Sequence, residues 1–297
     1  MARSLLRDLV AVEVTSAFTA SGVRSILLKG AAVASWLYDD GALRWYSDID
    51  LLVAPSDVDR AESVLGDLGF APAKAGWSVH ELDAHAHPWR RGQETVDLHR
   101  RLDGIGCAPE TAWPILVGNT EPLRIGGGTV EVLAKPGRAL HLALHAAQDG
   151  PVVSKAHEDL RRAVARVPEQ TWREAADLAR SLGAEDSMAA GLRLDPATAP
   201  LCGRLGLPGP HGLRSTLLAQ GAPRSAYCVA EALSADSWQT VVGRLARRAV
   251  PTKAWMRSRY PFADRGPVAL ATAYVWRAVT AGRRAPAAFA AVARARR

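Results

Sequence analysis

Cysteine is scarce in this chain: Cys107, Cys202 and Cys228 are the three present, far apart and odd in number. They make neither a disulfide framework nor a metal knuckle, and they suit a reducing compartment. Long apolar runs are missing too. Nothing approaches the ~18 uncharged residues of a membrane span. Arg3, Arg7, Asp8 and Glu13 interrupt the start, where a secretory signal would carry an apolar segment. The expected location is therefore cytoplasmic, with no membrane partner. Also absent are a G-x-x-x-x-G-K-[ST] loop, a G-x-S-x-G turn and an H-E-x-x-H pair. The chemistries built on those motifs are set aside with them.

What is present is an ordinary globular composition: 297 residues, 48% apolar and 23% charged. That length allows one large domain or two modest ones. The net charge of +7 is unevenly spread. Between Arg244 and Arg297 stand 13 basic residues and one Asp, so the remainder holds 24 basic and 29 acidic residues. The basic segment is either a solvated helical face or a surface for an anionic partner such as RNA, an acidic peptide or a nucleotide.

Apolar spacing predicts a helix over Leu5–Ala20, a strand over Val23–Leu28, a helix over Ala31–Tyr38 and a strand over Ile49–Val53. A helix follows from Ser56 to about Leu65 or Leu68, ended by Gly69. Trp77–Leu82, Ala86–Arg90 and Thr95–His99 read as short strands, and Glu121–Ile125 with Thr129–Leu133 as a hairpin around three glycines. After Lys135 the texture turns helical, over Arg138–Gln148, His157–Val167 and Gln170–Leu182. The expected domains are 1–134 and 135–297.

The stretch Arg44-Trp45-Tyr46-Ser47-Asp48-Ile49-Asp50-Leu51-Leu52-Val53 carries the most chemistry. Alternation on a strand puts Asp48 and Asp50 on one face, with Ile49 and Leu51 toward the core. Two carboxylates ~4 Å apart repel by ~4 kcal/mol at an effective dielectric near 20. A proton or a cation between them relieves this, and oxygen ligands favour Mg²⁺. Alone, the pair reads equally as two solvated aspartates at a strand end. Three features add to it. Leu28-Lys29-Gly30-Ala31-Ala32 is a strand-to-helix turn whose glycine lets a phosphate approach backbone amides, with Lys29 as a point charge. Val96-Asp97-Leu98-His99 offers a third acid on another strand, with His99 on the same face as Asp97. Arg44 is placed either to neutralise phosphate or to pair with Asp40.

Leu-Lys-Gly, then Arg44 and Ser47-Asp48-Ile49-Asp50-Leu51-Leu52-Val53, then Val96-Asp97-Leu98-His99, resembles the DNA polymerase β-like nucleotidyltransferase superfamily. Within it the chain looks most like an uncharacterised bacterial nucleotidyltransferase family, some of whose members accompany peptide natural-product genes. The landmarks span roughly residues 5–165 and include Gly69-Phe70 and Leu144-His145-Ala146-Ala147. The resemblance implies an α+β fold: a small mixed sheet with helices on one side, followed by a mainly helical domain. It implies transfer of a nucleoside monophosphate from an NTP such as ATP to an acceptor, with Mg²⁺ or Mn²⁺ as cofactor. Asp48, Asp50 and Asp97 would hold the metals and act in catalysis. Lys29, Gly30, Ala31, Arg44 and Ser47 would bind the nucleotide. The superfamily's Gly-Ser or Gly-Gly turn is here Gly30-Ala31-Ala32, so a hydroxyl contact is replaced by backbone amides, Lys29 and Arg44.

Beyond this set, His99, His145, Lys155 and Asp159 are candidates to line the cleft. For His145 the other reading is core packing, and for Lys155 with Asp159 a surface ion pair. His141 and His145 are four apart on a helix, without the rest of a zinc motif. The acceptor is expected to be a peptide, protein, small molecule or RNA end, with an anionic acceptor or a peptide natural-product precursor suiting the charge pattern. Two other readings are glycosyl transfer from a nucleotide-sugar at the same metal site, and a non-catalytic peptide-binding accessory protein.

Overall fold

The computed structural model describes residues 2–38, 44–73, 86–151, 154–210, 213, 216–217, 220, 222, 224–233 and 250–296. The expected strand Trp77–Leu82, and Asp40 as a partner for Arg44, lie outside these. Helix α1 (Ala2–Ala20) leads into β1 (Ser25–Leu27), α2 (Ala31–Leu37), β2 (Ile49–Val53), α3 (Val58–Asp67) and β3 (Ala71–Pro72). Then come β4 (Ala86–Arg91), β5 (Glu94–His99), α4 (Pro109–Val117), and the hairpin β6 (Thr120–Ile125) and β7 (Gly128–Leu133). Helices α5 (Lys135–Asp149), α6 (Lys155–Arg166), α7 (Glu169–Leu182), α8 (Glu185–Arg193) and α9 (Pro200–Arg204) follow. Further on lie α10 (Arg224–Leu233), α11 (Lys253–Arg259) and α12 (Pro267–Ala295). The reading from sequence leaves out α4, because Pro109 and Pro114 mark it as irregular. Pro109 sits at the helix start, where a missing N–H costs nothing, and Pro114 is carried inside it.

The seven strands form one mixed sheet, in the order β3-β4-β5-β2-β1-β7-β6. Its centre places the site: β2 runs parallel to β5 and antiparallel to β1, and β1 runs parallel to β7. Strand alternation sorts the side chains. Ile49, Leu51 and Val53 of β2 join Val96 and Leu98 in a core shared with Val10, Val14 and Phe18 of α1 and Leu65 of α3. Leu52 joins Ile26, Leu28 and Leu133 in a second core, shared with Leu140 and Leu144 of α5, Leu160 of α6 and Trp172 of α7. Gly191 of α8 lets two helices close up, since a Cβ there would stand 1.9 Å from the Ala143 carbonyl oxygen of α5.

This second core bears on the expected boundary. Strands do give way to helices at Ala134, but the change falls inside one compact unit, Met1–Ala73 with Asp83–Pro208. Helices α5 to α9 complete the sheet's second face, so the units divide at Pro208. The other unit, which contains Gly209–Arg297, has small cores of its own. One is built on Leu217, Ala226, Ala230, Ala288 and Val292, another on Met256, Ala263, Leu270 and Ala273. Among the described residues no helix is long and apolar enough to cross a membrane.

Candidate active site

Gly30 is the bend between β1 and α2. Its backbone, φ 58° and ψ −117°, is one that side chains resist, and a Cβ would stand 3.2 Å from the Tyr46 ring. Just before it, Lys29 sends its Nζ 2.9 Å to Asp50 Oδ1. The same oxygen accepts from His99 Nε2 at 2.9 Å. Asp50 and Asp97 are directly paired positions on the parallel strands β2 and β5, so both carboxylates leave the same face. Asp48 lies half-buried just before β2. The three acids, Lys29 and His99, drawn from three separate stretches of sequence, thus stand together at the centre of the sheet.

The two paired aspartates have opposite electrostatics. Burial pushes the Asp50 carboxyl up, but the His99 hydrogen bond and the charges of Lys29 and His99 outweigh it and hold it well below the usual range. Asp97 is pushed up to about 6, first by burial, then by the charge of Asp50, with Asp48 adding to it against His99 and Lys29. Asp97 therefore changes charge near neutral pH.

A divalent metal was tested against this donor set. Among the described residues, no group of three His, Cys, Asp or Glu stands ready to hold an ion. Its chemistry nevertheless fits a hard cation. The donors are carboxylate oxygens, and the rise at Asp97 reports negative charge that Lys29 leaves uncompensated.

The other candidates divide. His99 is in the cluster, 4% exposed. His141 and His145 stack on α5 with ring centroids 6.3 Å apart. Burial, then the charge of Lys29, lowers both, His145 to about 4, while Asp149, Asp50 and Asp159 pull His145 the other way. Both imidazoles are neutral at pH 7 and feel the cluster. Ala31 is buried as the first residue of α2, and Ser47 is exposed. Lys155 is the exposed first residue of α6, a helix that starts two residues before the expected His157 because Ser154 caps it, accepting from the Ala156 amide at 3.2 Å. Burial and the charge of Arg44 lower the Lys155 ammonium, while Asp159 and Asp48 oppose them.

Arg44 is placed otherwise than expected of a phosphate ligand. It is buried, and every guanidinium nitrogen is engaged. Nε lies 2.8 Å from Asp159 Oδ1, Nη2 lies 2.6 Å from Asp159 Oδ2, and Nη1 reaches the Gly30 carbonyl oxygen at 3.2 Å. Asp159 is likewise no surface ion pair: its side chain is 1% exposed. Tyr38, which sequence reasoning passed over, donates its hydroxyl to Asp159 Oδ1 at 2.7 Å. With 121 residues between them, no local pattern announces that contact.

The sequence pattern of a family described as uncharacterised nucleotidyltransferases matches residues 2–198. Two solved structures are similar to this chain. One is the solution structure of the antibiotic-resistance factor ANT(2'')-Ia, 16% identical, covering 59% of this chain and 93% of that one, with a TM-score of 0.40. The other is a tRNA-processing enzyme in an apo form, 12% identical, covering 86% of this chain and 77% of that one, with a TM-score of 0.26. A search of curated proteins found no match.

Proposed function

The chain belongs to the family of uncharacterised nucleotidyltransferases, and from that premise we propose that it moves a nucleoside monophosphate from an NTP to a hydroxyl or amino group of a separate acceptor. The observation that carries this reading is the pairing of Asp50 with Asp97 across β2 and β5, beside Asp48 and the Lys29-Gly30 turn.

In this reading the residues take distinct parts. Asp48, Asp50 and Asp97 would hold Mg²⁺ or Mn²⁺. When bound, such an ion supplies Lewis-acid polarisation of phosphoryl oxygens and offsets developing charge. Lys29 balances phosphate charge, and the backbone at Gly30 and Ala31, with no side chain on the glycine, admits a phosphate closely. His99 orients the Asp50 carboxylate by its 2.9 Å hydrogen bond. As the acceptor's heteroatom bonds to the α-phosphorus, the bond from that phosphorus to the bridging oxygen of pyrophosphate breaks. The acceptor's proton passes to Asp97, whose carboxyl, pushed up to about 6, is matched to general-base work near neutral pH.

The direct experiment is to incubate the protein with each NTP labelled at the α-phosphate, Mg²⁺ or Mn²⁺, and lysate, peptide and RNA fractions as acceptors. The expected result is label on an acceptor, a mass gain of one nucleoside monophosphate, and stoichiometric pyrophosphate. Transfer of sugar from a nucleotide-sugar, with no transfer from NTPs, would replace this reading with glycosyl transfer.

A further inference from the structure

The pair Arg44–Asp159 is buried next to the glycine turn and makes no contact of its own with the acid cluster in the hydrogen bonds above. We propose that Asp159 is a positioning residue for the nucleotide turn, acting through Arg44 on the Gly30 carbonyl. The inference rests on the nucleotidyltransferase reading, in which that turn receives phosphate.

The argument runs through the peptide plane. Arg44 is clamped by Asp159, whose carboxylate accepts from Nε at 2.8 and 3.0 Å and from Nη2 at 2.6 Å. The Tyr38 hydroxyl, 2.7 Å away, takes a further place on Oδ1. A guanidinium held by two of its nitrogens has the third fixed in direction, because the group is rigid and planar. That third nitrogen, Nη1, donates to the Gly30 carbonyl at 3.2 Å. The same carbonyl accepts from the Ala34 amide at 3.0 Å in the first turn of α2. Because the peptide bond is planar and trans, the Gly30 carbonyl and the Ala31 N–H point in opposite directions. Holding the one therefore aims the other, the amide that the turn offers to a phosphate oxygen. Gly30 needs this hold, since its φ of 58° lies where glycine has the widest freedom.

Helix α6 also grips the other end of α2. Arg162 and Arg166 each donate to the Leu37 carbonyl at 3.1 Å, and the Arg162 guanidinium lies 4.4 Å from the centre of the Tyr38 ring. The short helix behind the turn is thus fixed at both ends by a helix more than a hundred residues further along the chain. A buried ion pair adds little stability over an apolar pair of the same size. What it adds here is direction, which an apolar pair lacks.

The test separates direction from stability. The full chain is compared with the double variant Arg44→Met/Asp159→Leu, which refills the space with apolar groups, and with Asp159→Asn, which keeps the shape but weakens the clamp. Thermal unfolding is recorded for each, and binding of ATP, GTP, CTP and UTP with Mg²⁺ is measured by calorimetry. The double variant is expected to unfold within a few degrees of wild type yet bind its best NTP about tenfold more weakly, the effect of one misaimed hydrogen bond to a charged group. Asp159→Asn is expected to weaken binding in the same direction, by several-fold. Wild-type affinity in a folded double variant overturns the inference and leaves the function standing. If the double variant does not fold, unchanged affinity in Asp159→Asn overturns it in the same way. A wild-type protein that binds no NTP brings down the functional reading, and the inference with it.

Discussion

Two charged clusters flank the Lys29-Gly30 turn, and they are built on opposite plans. Around Asp159 the account closes: one carboxylate, one guanidinium and a tyrosine hydroxyl, with every Arg44 nitrogen engaged. Around Asp50 it does not. Lys29 and His99 both converge on a single Asp50 oxygen, while Asp97 beside it is pushed up to about 6 by burial and by its acidic neighbours. A closed cluster fixes geometry and has little left to offer a ligand. An unbalanced one stores unfavourable charge that a ligand can relieve. Their difference teaches which aspartates to assign to chemistry and which to architecture, a distinction that residue type alone does not carry.

The largest expected effect breaks the unbalanced cluster. Asp48→Asn with Asp50→Asn is expected to abolish Mg²⁺-dependent NTP binding while the protein stays folded, as followed by calorimetry and circular dichroism. Undiminished affinity would place these acids outside the site. Breaking the closed cluster acts on stability instead. Asp159→Ala leaves the Arg44 guanidinium buried without its carboxylate, and is expected to cost about 3–5 kcal/mol in urea unfolding. A cost within 1 kcal/mol would mean that the cluster opens easily to water.

Asp97 sharpens the comparison next. Its role belongs to the transition state, so Asp97→Asn is expected to lower turnover by ~10²-fold or more and to leave the NTP dissociation constant nearly unchanged. The same residue sets a pH effect. A carboxyl raised in the folded protein gives stability that is full below its unfolded value, 3.8, and is lost as pH rises through about 6. Metal-free wild type is therefore expected to lose about 3 kcal/mol at most across that window, taking ~1.4 kcal/mol per unit. Asp97→Asn should lack this loss and unfold at a higher temperature than wild type at pH 8. Parallel pH curves for the two would show that Asp97 is not the strained acid. The smallest effect concerns the turn between the clusters. Gly30→Val is expected to weaken NTP binding about tenfold, because a side chain must enter a left-handed backbone and press on Tyr46.

Much of this was legible before any coordinates. The helix α1, the strands β1, β2 and β5 and the hairpin β6–β7 follow from apolar spacing and glycine turns, because those signals act over a few residues. The acid pair and the Lys29-Gly30 turn were readable for the same reason. Arg44 was not. Within the sequence its near carboxylates suggested a local pair or a phosphate ligand, whereas its partner lies 115 residues away on α6. The boundary near Ala134 marked a real change of texture, yet local composition carries no record that α5 to α9 bury their leucines against the sheet.

The sequence by itself determined which chemistry was on offer: oxygen donors two apart on a strand, a third acid on a later strand, and a glycine able to bend beside a lysine. Periodicity and residue type are enough for that, because each is a short-range property of the chain. Only the tertiary structure decided how the charges are shared. The parallel pairing of β2 with β5 sets Asp97 beside Asp50 and so raises one acid and holds the other down. The packing of α6 draws Arg44 away from solvent and onto Asp159. Charge–charge energies depend on distance and burial, and both are fixed only when strands and helices far apart in sequence come together.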